Sequence, residues 1–433
     1  MRIPTPGISP NVATFPAGGN IIPASQAKWN TQHMQHKWGR VLAGAIVGSA
    51  TGISAVLLYT NGLFVAGLTR DLGLTRAQFG LGVTFVTMAL AVANPMVGWA
   101  VDRYGPRLPS LAGLLLLSAG FAAMGLLVNS VATYLALQAF VALIGAASGP
   151  IAYTKFIGAT FTQRRGLALG LTMTGIGLGA AILPPILATI IESRGWRAGY
   201  LALAVVPLAG AILTGLIFPP RTAASSASLP PRGTQQPASR DWLRSPTFWI
   251  LAGTFASMSL SFGGLLPHFV PMLIDSGLDP ITAARIAGEI GLAVIASRVV
   301  VGYLMDRLFA PRIAIAMCII GASGGVALLM GGAPYSSITA IALGLALGAE
   351  LDLMGFLVSR YFRIADFGRI YGWQYGAFIF ASGLGPLWVG AVRDATGTYT
   401  IALAASSIGL ILTCAGFLAL PRYGALGTDP RAQ

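Results

Sequence analysis

The strongest constraint on this chain is a series of twelve apolar runs, each about 20 residues long. A helix needs about 20 mostly apolar residues to cross the hydrocarbon core of a bilayer, so each run is long enough to span a membrane. The runs cover residues 41–66, 77–98, 108–128, 132–153, 166–190, 198–218, 247–273, 283–305, 312–330, 337–359, 371–392 and 399–420. The sequence therefore predicts an all-α membrane protein with twelve transmembrane helices.

The composition excludes most other classes of protein. Only 9% of the residues are charged, against about 25% in soluble domains, and the mean hydropathy is +0.74. A soluble enzyme, a disordered protein and a disulfide scaffold are all excluded. An outer-membrane barrel is excluded too, because its strands alternate apolar and polar residues over about ten positions. No catalytic residue, metal site or cofactor is predicted.

Basic residues orient the predicted helices. With the N-terminus inside, nineteen of the 27 lysines and arginines fall in inner segments and six in outer loops. Lys and Arg favour the cytoplasmic side of a membrane, so we expect both termini in the cytoplasm and the protein in a bacterial inner membrane. The net charge of +14 then reflects inner loops, and no nucleic-acid partner is expected. The predicted partner from these features is the lipid bilayer, and no obligatory protein partner is expected.

A segment rich in Pro, Ser and Ala divides the chain. Residues 219–246 have no apolar period and are predicted to be a cytoplasmic linker. The predicted organisation is a cytoplasmic tail (1–40), a six-helix bundle (41–218), the linker, a second six-helix bundle (247–420) and a cytoplasmic tail (421–433). The first tail lacks a long apolar segment, so no cleaved signal peptide is predicted.

The two predicted bundles repeat each other in sequence. Gly98, Asp102 and Arg103 recur as Gly302, Asp306 and Arg307, 204 residues later, and Gly166, Gly170 and Pro184 recur as Gly368, Gly372 and Pro386 at an offset of 202. Matches at nearly one offset indicate a duplicated six-helix unit with pseudo-symmetric halves. Internal repeats with a substrate site at their interface are found in many secondary transporters.

The residues Gly98, Asp102, Arg103, Gly105 and Arg107 form a motif that resembles the signature of the major facilitator superfamily between helices 2 and 3. The second copy keeps Gly302, Asp306, Arg307 and Arg312 but lacks the middle Gly. The resemblance implies the major facilitator fold and a carrier that works by alternating access. Asp102, Arg103, Arg107, Asp306 and Arg307 are accordingly the predicted gating residues at the inner mouth.

A second motif resembles the monocarboxylate porter family, which includes proton-coupled lactate carriers and oxalate–formate exchangers. It runs from Phe161 through Arg164, Arg165 and Gly166 to Gly179. The family likeness extends to Arg298, which resembles the substrate-binding arginine in helix 8 of those carriers. Lactate carriers tend to place an Asp four residues earlier, where this chain has Val294. Oxalate–formate exchangers use a lysine in helix 11, where this chain has Gly376, which argues against a dianionic substrate.

Arg298 is the principal candidate for substrate binding on physical grounds as well. It lies fifteen residues into its predicted span, about 22 Å deep at 1.5 Å per residue, and a charge there is costly. A guanidinium binds a carboxylate through two parallel hydrogen bonds. The alternative is a structural ion pair between helices. We favour the first interpretation, in which Arg298 binds a small organic monocarboxylate.

The predicted helix 10 carries Glu350 and Asp352 at the same depth as Arg298. Residues two apart on a helix point about 200° apart, so only one of them readily faces a central cavity. That carboxylate is a candidate proton-coupling group, and the sequence favours Glu350 over Asp352. The alternative for either residue is a permanent salt bridge. Glu289, nearer the outer end of helix 8, is a third candidate.

Other polar and aromatic residues in the spans are weaker candidates. His268 is a candidate for substrate binding, although a lone His is more often a packing residue, and Lys155 is expected to extend to the inner membrane surface. Candidate cavity-lining residues are Tyr59 and Asn61 in helix 1, Tyr153 in helix 4, and Trp373 and Tyr375 in helix 11.

The sequence thus predicts a secondary active transporter of a small organic monocarboxylate, with proton coupling preferred to exchange. An organic anion exchanger of the oxalate–formate type and an efflux pump for amphipathic compounds remain alternatives. A membrane enzyme is disfavoured, because no nucleophile–base pair, metal cluster or phosphate-binding loop is recognisable.

Overall fold

The computed structural model describes residues 39–161, 164–218 and 241–423, and it is built from long helices. Eleven helices in these ranges are long and apolar enough to cross a membrane. They are α1 (Gly39–Leu72), α2 (Gln78–Tyr104), α3 (Arg107–Leu127), α4 (Val131–Thr160), one helix of 53 residues (Arg165–Ile217), α7 (Pro246–Asp275), α8 (Ile281–Met305), α9 (Ala310–Gly331), α10 (Ala333–Tyr361), α11 (Ile364–Thr396) and α12 (Thr400–Leu418).

The 53-residue helix is two helices joined at a break. Gly195 has φ +79° and ψ 168°, outside the helical region. We call the part before Gly195 α5 and the part after it α6. This break falls between the predicted spans 166–190 and 198–218, so the twelve predicted membrane helices are all present. The tails at 1–38 and 424–433 and most of the predicted linker lie outside the described residues, and α7 begins at Pro246.

Several helices begin where the sequence supplies a capping side chain. Thr75 accepts a hydrogen bond from the backbone of Gln78 ahead of α2, and the Gln78 side chain accepts one in return. Ser130 and Thr133 form the same reciprocal arrangement at the start of α4. Asp279 accepts two backbone hydrogen bonds before α8. These caps satisfy N–H groups that the first helical turn leaves free.

The two halves of the chain meet along two helix pairs, α2 with α11 and α5 with α8. Glycines permit this close approach. Gly98 lies against the carbonyl of Gly368, and Gly302 lies against the carbonyl of Gly166. The same four glycines mark the sequence repeat. The two interfaces between the halves are therefore related by the pseudo-symmetry that the repeat predicts. These glycine contacts lie on the same side of the molecule as Asp102 and Asp306. Arg40, which donates a hydrogen bond to the carbonyl of Ile217, lies on that side as well.

Candidate functional site

The centre of the candidate site is an ion pair between α8 and α10. Nη1 of Arg298 donates a hydrogen bond to Oδ1 of Asp352 at 3.3 Å. Both residues are buried, and Arg298 is only 5% exposed. Among the described residues, the Nε of Arg298 and the Oδ2 of Asp352 have no hydrogen-bond partner. Each member of the pair therefore retains an atom that can form a further hydrogen bond.

Glycines on α10 bring these two side chains together. Gly344 and Gly348 lie against the carbonyls of Ile290 and Val294 on α8, so that a Cβ at Gly348 would be 2.6 Å from the Val294 oxygen. One helical turn further along both helices come Asp352 and Arg298. Val294 lies one turn before Arg298 on α8, and the carboxylate that reaches the guanidinium comes from Asp352 on α10.

Asp352 and Glu350 have different surroundings on α10, and the preference for Glu350 as the proton-coupling group stays a prediction. Arg298 bonds Asp352, whereas Oε1 of Glu350 is buried without a hydrogen-bond partner in the part of the chain described. Glu350 is within electrostatic range of Arg298 and of Cys318 on α9. Residues two apart on a helix point about 200° apart, so Asp352 and Glu350 leave α10 in different directions, and it is Asp352 that reaches Arg298.

Tyrosines of α11 complete the surroundings of the pair. Tyr371 lies within electrostatic range of both Asp352 and Arg298, with Thr154 of α4 beside its hydroxyl. The Tyr375 hydroxyl lies in reach of Ser54 on α1 and within electrostatic range of Arg298. Sequence reasoning included Tyr375 but missed Tyr371 and Ser54. The i, i+4 spacing of the two tyrosines was the available signal, because it places both on one face of α11.

The structure separates the other predicted substrate residues into two groups. Tyr59 is 53% exposed and lies within electrostatic range of Tyr375, so it is close to the site. Trp373 is 52% exposed and lies between Gly372 and Gln374 on α11. Gly372 contacts the Asn94 carbonyl on α2. Trp373 is therefore next in sequence to a residue of the α2–α11 interface, but its own side chain lies largely outside the packed interior.

Two further candidates have partners elsewhere. Asn61 accepts a hydrogen bond from Nε2 of Gln138 at 2.7 Å, within the first half. Tyr153 is buried against Gly48 and the ring of Phe218. Neither side chain is bonded to Arg298 in the described part of the chain, and their part in lining a cavity stays a prediction.

His268 and Glu289 also lie away from the ion pair. The two ring nitrogens of His268 lie 3.3 Å from the Tyr399 hydroxyl and 3.1 Å from the Pro386 carbonyl. Pro386 is eleven residues beyond Tyr375 on α11, or about 16 Å along the helix. Oε1 of Glu289 accepts a hydrogen bond from Ser337 at 3.3 Å. His268 is thus a bonded packing residue, and Glu289 is tied to the opposite end of α10.

The predicted gating aspartates each bind the start of a helix in the other half. Asp102 accepts hydrogen bonds from the backbone nitrogens of Gly368 and Arg369, both at 2.8 Å. Asp306 accepts them from Gly166 at 2.7 Å and Leu167 at 3.0 Å. The N-terminus of a helix attracts a carboxylate through its free N–H groups and its dipole. We call these contacts the Asp102 latch and the Asp306 latch, and they close this side of the molecule.

The arginines of the predicted gate do not bond these aspartates. Arg103 lies over the rings of Trp99 and Tyr104, and Arg307 lies over the ring of Tyr303. Arg107 donates a hydrogen bond to the carbonyl of Gly215 on α6 at 2.9 Å. Their contacts are therefore local to each half. The expected cluster of Asp with Arg is replaced by Asp with backbone N–H groups.

Lys155 contributes to the Asp102 latch, contrary to the expectation that it extends to the membrane surface. Its ammonium group pairs with Oδ1 of Asp102, and the residue is only 7% exposed. In the described part of the chain, Asp306 forms no ion pair of this kind. The two latches therefore have the same backbone contacts but different charge.

The fold, the paired halves and the buried ion pair between α8 and α10 define a membrane carrier with two repeated six-helix units. The Major Facilitator Superfamily model matches residues 42–356. The chain belongs to that superfamily. It is an integral, multi-pass membrane protein and a transporter rather than an enzyme.

Related proteins are consistent with the finer resemblance. Human monocarboxylate transporter 11 is 26% identical over 404 residues, which cover 89% of this chain and 83% of that protein. The oxalate:formate antiporter of Oxalobacter formigenes is 30% identical over 230 residues, which cover 52% of each chain. The sequence therefore falls among monocarboxylate and oxalate–formate-like members of the superfamily.

Solved structures have the same fold. The Escherichia coli fucose:proton symporter superimposes with a TM-score of 0.66 over 88% of this chain and 98% of its own, at 13% identity. The human organic anion transporter MFSD10 has a TM-score of 0.67 over 89% of this chain and 99% of its own, at 14% identity. At these identities the likeness shows the fold alone.

Proposed function

We propose that this protein carries a small organic monocarboxylate across the bacterial inner membrane by alternating access, coupled to protons. The observation that supports this most directly is the buried Arg298–Asp352 pair between α8 and α10. The pair lies within electrostatic range of Tyr371, on a helix of the α2–α11 interface between the halves. Both termini of the protein would face the cytoplasm.

Arg298 would hold the substrate. Its Nη1 now binds Asp352, while its Nε has no partner among the described residues. A guanidinium can bond a carboxylate through Nε and one Nη in parallel. An arriving substrate carboxylate would therefore take the place of the Asp352 carboxylate or share the guanidinium with it.

Asp352 would couple substrate to protons. A buried carboxylate that loses its cation becomes costly unless it is protonated. If the substrate occupies Arg298, Asp352 is displaced from its partner and accepts a proton. Release of the substrate restores the ion pair and expels the proton. Glu350 and Glu289 are secondary candidates, because neither is bonded to Arg298. Glu350 is within electrostatic range of Cys318, and Glu289 accepts a hydrogen bond from Ser337.

The two latches would control the change between the conformations that open on opposite sides of the membrane. Both close the same side of the molecule in this structure, so substrate and proton would enter from the opposite side. Rocking of the two halves would withdraw α11 from Asp102 and α5 from Asp306, which opens the latched side. Asp102, Asp306 and Lys155 would then control which conformation is populated.

Uptake into proteoliposomes tests the proposal. Labelled monocarboxylates would be supplied with and without an inward proton gradient, to the parent protein and to Asp352→Asn. We expect gradient-driven uptake in the parent and its loss in the variant. If the gradient has no effect but internal anion accelerates uptake, the protein is an exchanger, as its oxalate:formate relative is named. If no carboxylate is bound or moved, the proposal is wrong.

A further inference from the structure

The loop between α8 and α9 is held by a tyrosine that follows α12. The hydroxyl oxygen of Tyr423 accepts a hydrogen bond at 2.9 Å from the backbone nitrogen of Ala310, the first residue of α9. The Tyr423 ring also lies beside the ring of Phe309, with the two centroids 4.9 Å apart. We call residues 421–423 the strap.

The hydrogen bond to Tyr423 supplies a cap that the local sequence of α9 lacks. Phe309 precedes the helix, and its side chain accepts no hydrogen bond from it. Ala310 is fully buried, so its N–H group has no access to water and requires an acceptor from the protein. The helices α2, α4 and α8 begin with capping side chains from adjacent residues, whereas α9 takes its acceptor from a residue 113 positions later. The start of α9 therefore depends on the strap.

The strap also holds the end of α10. The Tyr361 hydroxyl donates a hydrogen bond to the carbonyl of Pro421 at 2.6 Å, and the rings of Tyr361 and Tyr423 meet edge to face with centroids 5.3 Å apart. The guanidinium carbon of Arg360 lies 5.5 Å from the centroid of the Tyr423 ring. Edge-to-face rings and a cation over a ring attract each other. The strap therefore joins the α8–α9 loop to the last turn of α10.

The two elements joined by the strap are the ones that hold the start of α5 in the other half. Asp306, at the end of α8, accepts hydrogen bonds from the backbone of Gly166 and Leu167. The hydroxyl of Ser359, near the end of α10, accepts a hydrogen bond from Nη1 of Arg165 at 3.1 Å. Because these three residues begin α5, the ends of α8 and α10 hold that helix together. The strap fixes these two ends relative to each other.

The first half holds its equivalent loop in a different way. Arg107, the first residue of α3, donates a hydrogen bond to the carbonyl of Gly215 near the end of α6. Arg312, its counterpart in the second copy of the motif, is exposed. In each half the loop that carries the latch aspartate is therefore tied to the last part of its own bundle. An arginine makes this connection in the first half, and Tyr423 makes it in the second.

We propose that Tyr423 is a positioning residue for alternating access, which fixes the ends of α8 and α10 so that together they hold α5 in the closed position. This inference rests on the proposed function, in which the Asp306 latch opens and closes. The contacts of the strap lie within the second half, so the strap acts on the opening through Asp306 and Ser359. Loosening the strap weakens the latch and raises the fraction of molecules open on the latched side.

Spin labels on the full chain test this proposal. Labels at the exposed positions Leu108 in the first half and Ala365 in the second would report the opening as a longer distance, measured by double electron–electron resonance. Tyr423→Phe, which keeps the ring but removes the hydroxyl, should raise the open fraction by about 2- to 10-fold, the effect of one hydrogen bond. Tyr423→Ala should raise it further. Tyr335→Ala, which alters an exposed tyrosine at the other end of α9, is the matched control and should leave the distribution unchanged.

A double-mutant cycle distinguishes positioning of the latch from a general loss of stability. In an Asp306→Asn protein the latch is already weakened, so the further change Tyr423→Phe should alter the open fraction by less than about twofold. Equal effects of Tyr423→Phe in the parent and in Asp306→Asn would show that Tyr423 acts apart from the latch, and would overturn the proposal. An unchanged distribution in Tyr423→Ala, in a protein whose melting curve shows that it is folded, would overturn it as well.

These measurements are independent of the substrate, because no carboxylate is present. Failure of the strap variants to open the latched side therefore leaves carboxylate transport standing. If Tyr423→Phe opens the latched side while the parent protein carries no carboxylate in proteoliposomes, the role of the strap is supported and the proposed substrate is wrong.

Discussion

Arg298 in α8 and Asn94 in α2 hold equivalent positions in the two halves, 204 residues apart. The carbonyl of Arg298 lies against Gly170 of α5, and the carbonyl of Asn94 lies against Gly372 of α11. Both side chains are buried. The backbones therefore pack alike, while one half presents a cation and the other a neutral amide. The two positions thus share their packing and burial and differ in the charge of one side chain.

The largest expected effect comes from the pair of substitutions at these positions. Arg298→Ala should lower carboxylate uptake by roughly 100-fold, because it removes the cation and leaves Asp352 buried without a partner. Asn94→Ala should retain most of the uptake, because no charge is lost. Initial rates in proteoliposomes measure both. Equal losses in the two variants would mean that the halves contribute equally, contrary to the asymmetry described.

Two substitutions, Asp352→Asn and Glu350→Gln, distinguish the roles of the two carboxylates of α10 in proton coupling. The amide introduced by Asp352→Asn cannot take up a proton, so we expect the response to a proton gradient to fall by roughly tenfold or more, with exchange of internal for external anion retained. Glu350→Gln should keep the gradient response, since Glu350 is not bonded to Arg298. Uptake at a series of external pH values measures this. The account of Asp352 fails if Glu350→Gln alone abolishes the gradient response.

The latches offer a second comparison between the halves. Lys155→Met should raise the fraction of molecules open on the latched side by roughly tenfold, since it leaves the buried Asp102 without its cation. Lys155→Arg should stay closed. Spin labels at the exposed positions Leu108 and Leu308, one in each half, would report the opening as a longer distance between the labels, measured by double electron–electron resonance. An unchanged distance distribution in Lys155→Met would show that the backbone contacts alone hold the latch.

The smallest effects are expected where the halves are alike. Gly98→Ala and Gly302→Ala each place a methyl group against a backbone carbonyl of the other half, so each should lower stability by about 1–3 kcal/mol. Gly253→Ala, whose new Cβ would meet no atom within 4 Å, is the control. Denaturation in detergent compares them. Gly98→Ala should lower stability more, because its Cβ would lie closer to the Gly368 oxygen than the 2.8 Å that would separate the Cβ of Gly302→Ala from the Gly166 oxygen. No loss in either variant relative to Gly253→Ala would contradict the close approach of the halves.

The helices could be predicted from sequence because membrane spanning requires length and apolarity, which are local properties. The break at Gly195 and the close approach of Gly98 and Gly302 were also visible, as a gap between runs and as a repeat. Pseudo-symmetry was therefore accessible from residue spacing alone.

The partners of charged side chains could not be predicted in the same way, because they depend on contacts between helices. Arg298 was identified by its depth, but its bond to Asp352 rather than Glu350 follows from the rotation of α10 on α8 at Gly348. Lys155 was misjudged because its partner, Asp102, lies on a different helix. The partners of His268, Tyr399 and Pro386, could not be predicted either, because they lie on other helices or loops.

A structure of the protein bound to a monocarboxylate tests the central claim most directly. Cryo-electron microscopy of the complex with 4-bromobenzoate would locate the ligand, and the same experiment with acetate would locate an acid without a ring. We expect the carboxylate within hydrogen-bonding distance of the Arg298 guanidinium, with Asp352 displaced from Nη1. A carboxylate bound elsewhere, with the Arg298–Asp352 bond intact, would show that this ion pair is structural and that the carrier recognises its substrate by other groups.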